Sequence, residues 1–134
     1  MQIARSSTLV LATVATLAAG LGQALADETR IVPSGANQQI DFFASVNPDC
    51  SSPGLPTVRL IDGPQAGIIT TDKGHDFMAF SHGNPRSACN KRRVAGLKMF
   101  YRAPKGFMGM DHVRILVISA SGTGREASYA IQAR

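Results

Sequence analysis

Beyond residue 26, apolar side chains recur at every second position in short runs separated by Gly, Pro, Asn and Asp. Residues 38–46 set the pattern: Ile40, Phe42, Ala44 and Val46 share one face, with Gln39, Asp41 and Ser45 on the other. A period of two belongs to extended backbone, where successive side chains point to opposite sides. Beyond residue 26 no segment carries a helical repeat, which excludes helix-built folds.

The breaks divide the pattern into about seven strands. Asn47-Pro48-Asp49 and the Pro- and Gly-containing residues 51–56 end the first run, and residues 57–61 then place Val58 and Leu60 together. Asp62-Gly63-Pro64 turns the chain into residues 66–71. Asp72-Lys73-Gly74 reads as a hairpin turn leading into residues 76–80, and residues 81–93 read as a polar loop. Residues 96–102 resume the alternation, with Leu97, Met99 and Tyr101 opposed to Lys98, Phe100 and Arg102. The apolar run 113–119 suggests a central strand buried on both faces, and residues 125–133 turn Ala127, Tyr129, Ile131 and Ala133 inward. Seven short strands with turn residues between them predict an all-β chain, a single antiparallel β-sandwich.

Residues 1–26 differ in kind. Arg5 precedes a stretch from residue 8 to 21 made almost wholly of Leu, Val, Ala and Gly, and Ala24-Leu25-Ala26 then leads into the polar Asp27-Glu28. A positive start, a short apolar run and small residues at the cut describe a cleaved secretory signal peptide. The run is too short and too rich in Ala for a spanning helix, so an integral membrane protein is not expected. The expected mature domain, residues 27–134, suits one modest core in the periplasm or the secreted space. In that oxidising setting Cys50 and Cys89 are expected to form a disulfide bond. Their 39-residue separation would make it worth about 4 kcal/mol in the chain-entropy model.

Three segments follow in order: Gly63-Pro64-Gln65-Ala66-Gly67, then Tyr101-Arg102-Ala103-Pro104, then Gly106-Phe107-Met108-Gly109-Met110-Asp111. Together they resemble bacterial immunoglobulin-like and cadherin-like domains, with their Pro-x-x-Gly turn, Tyr-x-x-Pro strand end and Gly-Phe-x-Gly-x-Asp corner. The resemblance covers residues 57–134 and implies a non-catalytic immunoglobulin-like sandwich of surface, adhesive or envelope proteins. It also implies that Phe107 plugs one end of the sandwich and that Asp111 accepts backbone N–H bonds within the corner. The final turn, residues 119–124, lacks the acidic residue usual in such domains, so calcium sites are not implied.

Charge gives the clearest functional signal. Arg86, Lys91, Arg92, Arg93, Lys98, Arg102, Lys105 and Arg114 face Asp111 alone between residues 86 and 114, whereas residues 27–85 hold seven acids against Arg30, Arg59 and Lys73. Such asymmetry points to an anionic partner met by Arg86, Lys91, Arg92, Arg93, Lys98, Arg102 and Lys105. Lipopolysaccharide, phospholipid, an acidic polysaccharide or an envelope protein would answer to it. Nucleic acid is not expected, because no aromatic platform interleaves the charges. The alternative is copper: Met108, Met110 and His112 alternate and offer soft thioether and imidazole ligands. No other cofactor is expected. An enzyme is not expected either, since no nucleophile elbow, zinc-binding His pair or phosphate-cradling glycine loop is present.

Overall fold

A computed structural model describes residues 27–134; the expected signal peptide, residues 1–26, lies outside the described residues. The strands are β1 (Glu28–Val32), β2 (Asn37–Phe43), β3 (Thr57–Asp62), β4 (Ile68–Phe77), β5 (Arg93–Arg102), β6 (Gly109–Ile118) and β7 (Gly124–Ala133). One 3-10 helix, Ser87–Lys91, precedes β5. Two sheets result, a four-stranded one in the order β1-β7-β6-β3 and a three-stranded one in the order β2-β5-β4. Their facing sides share one core containing Phe43, Met99, Tyr101, Ile115, Tyr129 and Ile131.

The alternation of β5 and β7 is realised as read. Met99 and Tyr101 are buried on β5, as are Tyr129, Ile131 and Ala133 on β7. β6 departs from expectation, because it is buried on one face rather than both. Val113, Ile115 and Val117 enter the core, while Met110, His112 and Arg114 are exposed on the other side. Its outward face carries an imidazole and a guanidinium, which hold that side in water.

β2 contains a bulge between Gln39 and Asp41. The extra residue breaks the period of two, so Ile40 and Phe43 both enter the main core. Phe42 and Ala44 pack instead with Val46, Cys89 and Val94 in a second cluster beneath the disulfide.

Seven strands were expected and the described residues form seven, but not the same seven. Asp72-Lys73-Gly74 is not a turn. β4 runs straight through it, pairing Asp72 with Lys98, Lys73 with Leu97 and Gly74 with Gly96 on β5. A two-residue hairpin of this kind needs left-handed backbone at its centre, and none of these residues has positive φ. The aliphatic stem of Lys98 lies against Gly74, 3.0 Å from where a Cβ would stand. The two strands expected at 66–71 and 76–80 are therefore one edge strand. The missing seventh is β1, which pairs parallel with β7, so the sheets are not wholly antiparallel.

One pole of the domain is closed by a carboxylate. The β3–β4 and β5–β6 connections both cross between the sheets there. Asp111 accepts N–H bonds from Gln65, Ala66 and Gly67 of the first crossing, at 2.7, 3.1 and 2.9 Å. It also accepts the Tyr101 hydroxyl at 2.9 Å and lies 2 % exposed. Gly67 passes so close to the Tyr101 ring that a Cβ would overlap it. Phe107 packs against the core at the same pole.

Candidate functional site

Three connections meet at the opposite pole: residues 44–56, 78–92 and 119–123. Their backbones are tied together rather than left as free loops. Cys50 and Cys89 form the expected disulfide, with Cα atoms 5.4 Å apart. Cys50 adopts φ +69°, a left-handed conformation disfavoured for a side chain, in a turn closed by its N–H on the Asn47 carbonyl at 2.8 Å. The Arg86 Nε donates to the Val46 carbonyl at 2.5 Å. Asn90 and Phe80 exchange two bonds, both of 2.8 Å, within the second connection. Ala120 N–H donates to the Ser45 hydroxyl at 2.9 Å, joining the first connection to the third.

Between these walls lies a groove in two compartments. The inner one, about 170 Å³, has an apolar floor of Phe42, Phe43, Pro56, Met78 and Val117 and a rim of Ser45, Ser119, Thr123 and Arg125. The outer one, about 420 Å³, shares Ala44, Ser45 and Ser119 with it and adds Asn47, Asn84, Arg86 and Ser121. The Arg125 guanidinium lies over the Phe43 ring, 5.9 Å from its centre.

Charge is distributed unevenly between the poles. Residues 44–56, 78–93 and 119–125 contain Arg86, Lys91, Arg92, Arg93 and Arg125 against Asp49 alone. The rest of the described chain carries eight basic and eight acidic side chains. The whole net positive charge of the described residues therefore belongs to the groove-bearing pole.

The structure divides the expected basic face. Lys91, Arg92 and Arg93 are exposed beside the disulfide, with Arg93 Nη2 donating to the His75 carbonyl at 2.8 Å. Arg86 is half-buried by its bond to Val46. Lys98 is mid-strand opposite Asp72. Arg102 ends β5, nine residues from Arg93 or about 30 Å at the rise of a strand. Lys105 covers Gly35 at the corner pole. Arg114 is held between Asp62 at 2.9 Å and Glu126 at 3.5 Å. Arg125 was not singled out in the sequence, because it lies beyond the basic stretch and joins it only through topology.

The copper candidates are placed unequally. Met110 and His112 alternate on the outward face of β6 and line a shallow depression with Asp62 and Gln65. Met108 precedes the strand and is 73 % exposed. His112 Nδ1 stands 3.7 Å from an Asp27 carboxylate oxygen. Among the described residues no three His, Cys, Asp or Glu side chains gather as a metal site, and no helix is long and apolar enough to cross a membrane. Comparison with protein-family models, with curated proteins and with solved structures finds no match to this chain.

Proposed function

We propose that this chain is an exported, non-catalytic binding domain of the bacterial cell envelope, built as an immunoglobulin-like β-sandwich, which engages an anionic or protein partner through its disulfide-braced pole. The observation that carries this reading is the concentration of all the net positive charge at one pole, in the three bonded connections and the strand residues Arg93 and Arg125 that flank them. Loops braced on a rigid scaffold are where sandwich domains carry recognition. Export is supported by the signal pattern of residues 1–26, and the formed disulfide suits an oxidising compartment. The immunoglobulin-like reading is supported by the meeting of Gly67, Tyr101 and Asp111, the three motif segments, at one pole.

The test is salt-dependent association of the mature domain with anionic envelope material. Binding should weaken as salt screens the pole and fall at least tenfold when Lys91, Arg92 and Arg93 are changed to Ser. Unchanged binding in that variant rejects the basic pole.

A second reading, copper held by Met108, Met110 and His112, is favoured by the shared face and common depression of Met110 and His112. Titrating Cu(I) while following the Met methyl and His ring resonances decides it, because only a bound metal shifts all three residues together.

A further inference from the structure

We infer that the groove takes an extended acidic peptide segment of a partner protein, with one apolar side chain as its anchor. This rests on the binding reading above and specifies the partner. The inner compartment, at about 170 Å³, is by itself smaller than the roughly 300–1,000 Å³ of small-molecule sites, whereas the outer one, at about 420 Å³, is not. The Phe42, Phe43, Met78 and Val117 floor of the inner compartment suits a single Phe, Leu or Met side chain. Its volume is also too small for the acyl chain of a lipid, and the hydroxyl-bearing Ser45, Ser119 and Thr123 rim its mouth.

The anchor alone does not define an extended segment; the outer compartment does. From the anchor pocket the groove continues past Ser45 and Ser119 to Asn47, Asn84 and Ser121, whose side chains both donate and accept hydrogen bonds. A peptide backbone needs both. The Ser45 hydroxyl accepts from Ala120 N–H and keeps its own proton to donate.

Cations stand at both ends of this path. Arg125 is held over Phe43 at the anchor pocket, and Arg86 is fixed through Nε on Val46, which leaves its two terminal nitrogens for a ligand. Lys91 lines a neighbouring depression with Phe80 and Asn90, and Arg93 donates to the His75 carbonyl, so these cations stand outside the groove itself. The one acid of the three connections, Asp49, already accepts from Ser51 N–H at 3.0 Å and from the Ser51 hydroxyl. Carboxylates flanking the anchor complement this arrangement, and guanidinium groups pair with them in two-point geometry.

The experiment presents the mature, oxidised domain with a random 12-residue peptide library on phage, then measures synthetic copies of the selected peptide. The expected consensus is one Phe, Leu or Met flanked by two or more acidic residues. Changing that apolar residue to Ala should weaken binding at least tenfold, and Ala44→Leu, which fills the pocket, should abolish the difference. Arg125→Ser, at an exposed position, provides a second variant with little risk to folding. Vesicles containing phosphatidylglycerol form a parallel arm. A consensus that lacks the anchor, or a pocket-filled variant that still discriminates, overturns the peptide inference. Vesicle binding lost on changing Lys91, Arg92 and Arg93 to Ser, with no peptide selected, overturns the peptide partner and leaves the basic pole standing. No binding in either arm overturns both.

Discussion

The Tyr101 hydroxyl on β5 donates to the Asp111 carboxylate on β6 across 2.9 Å, a bond that runs from one sheet to the other at the corner pole. The same carboxylate gathers three backbone N–H groups from the other crossing between the sheets. A buried carboxylate with this many donors is fully satisfied, but its removal leaves the donors without partners. Asp111→Ala should therefore cost about 4 kcal/mol in urea unfolding, while Tyr101→Phe, which deletes one charge-assisted bond, should cost about 2 kcal/mol. Equal, small losses for both would show that the corner does not bind the sheets together.

Acid should act through the same group. Burial raises the Asp111 pKa, but the N–H groups of Gly67 and Gln65, the Tyr101 hydroxyl and the Ala66 N–H outweigh it and hold the pKa below the ordinary 3.8. Because the folded value lies below the unfolded one, the stabilisation is complete above the unfolded value and is lost as pH falls through the folded one. The urea midpoint should fall below about pH 4, and more steeply in the wild type than in Asp111→Asn. On the other side of the bond, burial, followed by the hydrogen bond to Asp111, pushes the Tyr101 hydroxyl up to about 12, so it stays a donor throughout this range.

Gly67 separates two reasons for a glycine. Its backbone does not have positive φ, yet a Cβ there would overlap the Tyr101 ring. Gly83 has φ +93° and open space around it. Gly83→Ala should therefore cost about 1 kcal/mol of backbone strain. Gly67→Ala must displace a buried ring and should cost about 3 kcal/mol. Thermal unfolding of the two variants checks the order, and Gly67→Ala with Tyr101→Ala should be far from additive.

What could be read from the sequence follows the range of the forces involved. β5 and β7 were legible because Met99, Tyr101, Tyr129 and Ile131 alternate without interruption. The bulge at Ile40 was not, since one extra residue shifts the phase and leaves no mark in the residue types. Asp72-Lys73-Gly74 misled because a turn and a charged edge strand share composition; the Lys98 that decides between them is on another strand. β1 has few apolar residues and is defined by its pairing with β7. At the groove-bearing pole, Arg86, Lys91, Arg92 and Arg93 were visible as charges. Met78, Ser119, Thr123 and Arg125 come together from two separate connections and the start of β7, which no local pattern announces. Lys98, Arg102 and Lys105 show the converse, being near in sequence and strung apart by an extended strand.

The disulfide should matter to the groove as much as to the fold. Cys50 and Cys89 join the two connections that form its outer wall, across a separation of 39 residues. Replacing both with Ser should cost about 4 kcal/mol by loop entropy, a fall in Tm of about 20 °C for a domain of this size. The effect should also be local. Hydrogen exchange should quicken at Cys50 and Cys89, whose N–H groups bond to Asn47 and Arg86 within those connections. The N–H groups of Gln65, Ala66 and Gly67, bound to Asp111 at the far pole, should keep their protection relative to global unfolding. If both sets quicken alike, the disulfide acts only on the unfolded chain, and the groove walls are held by Arg86, Asn90 and Ser45 without it.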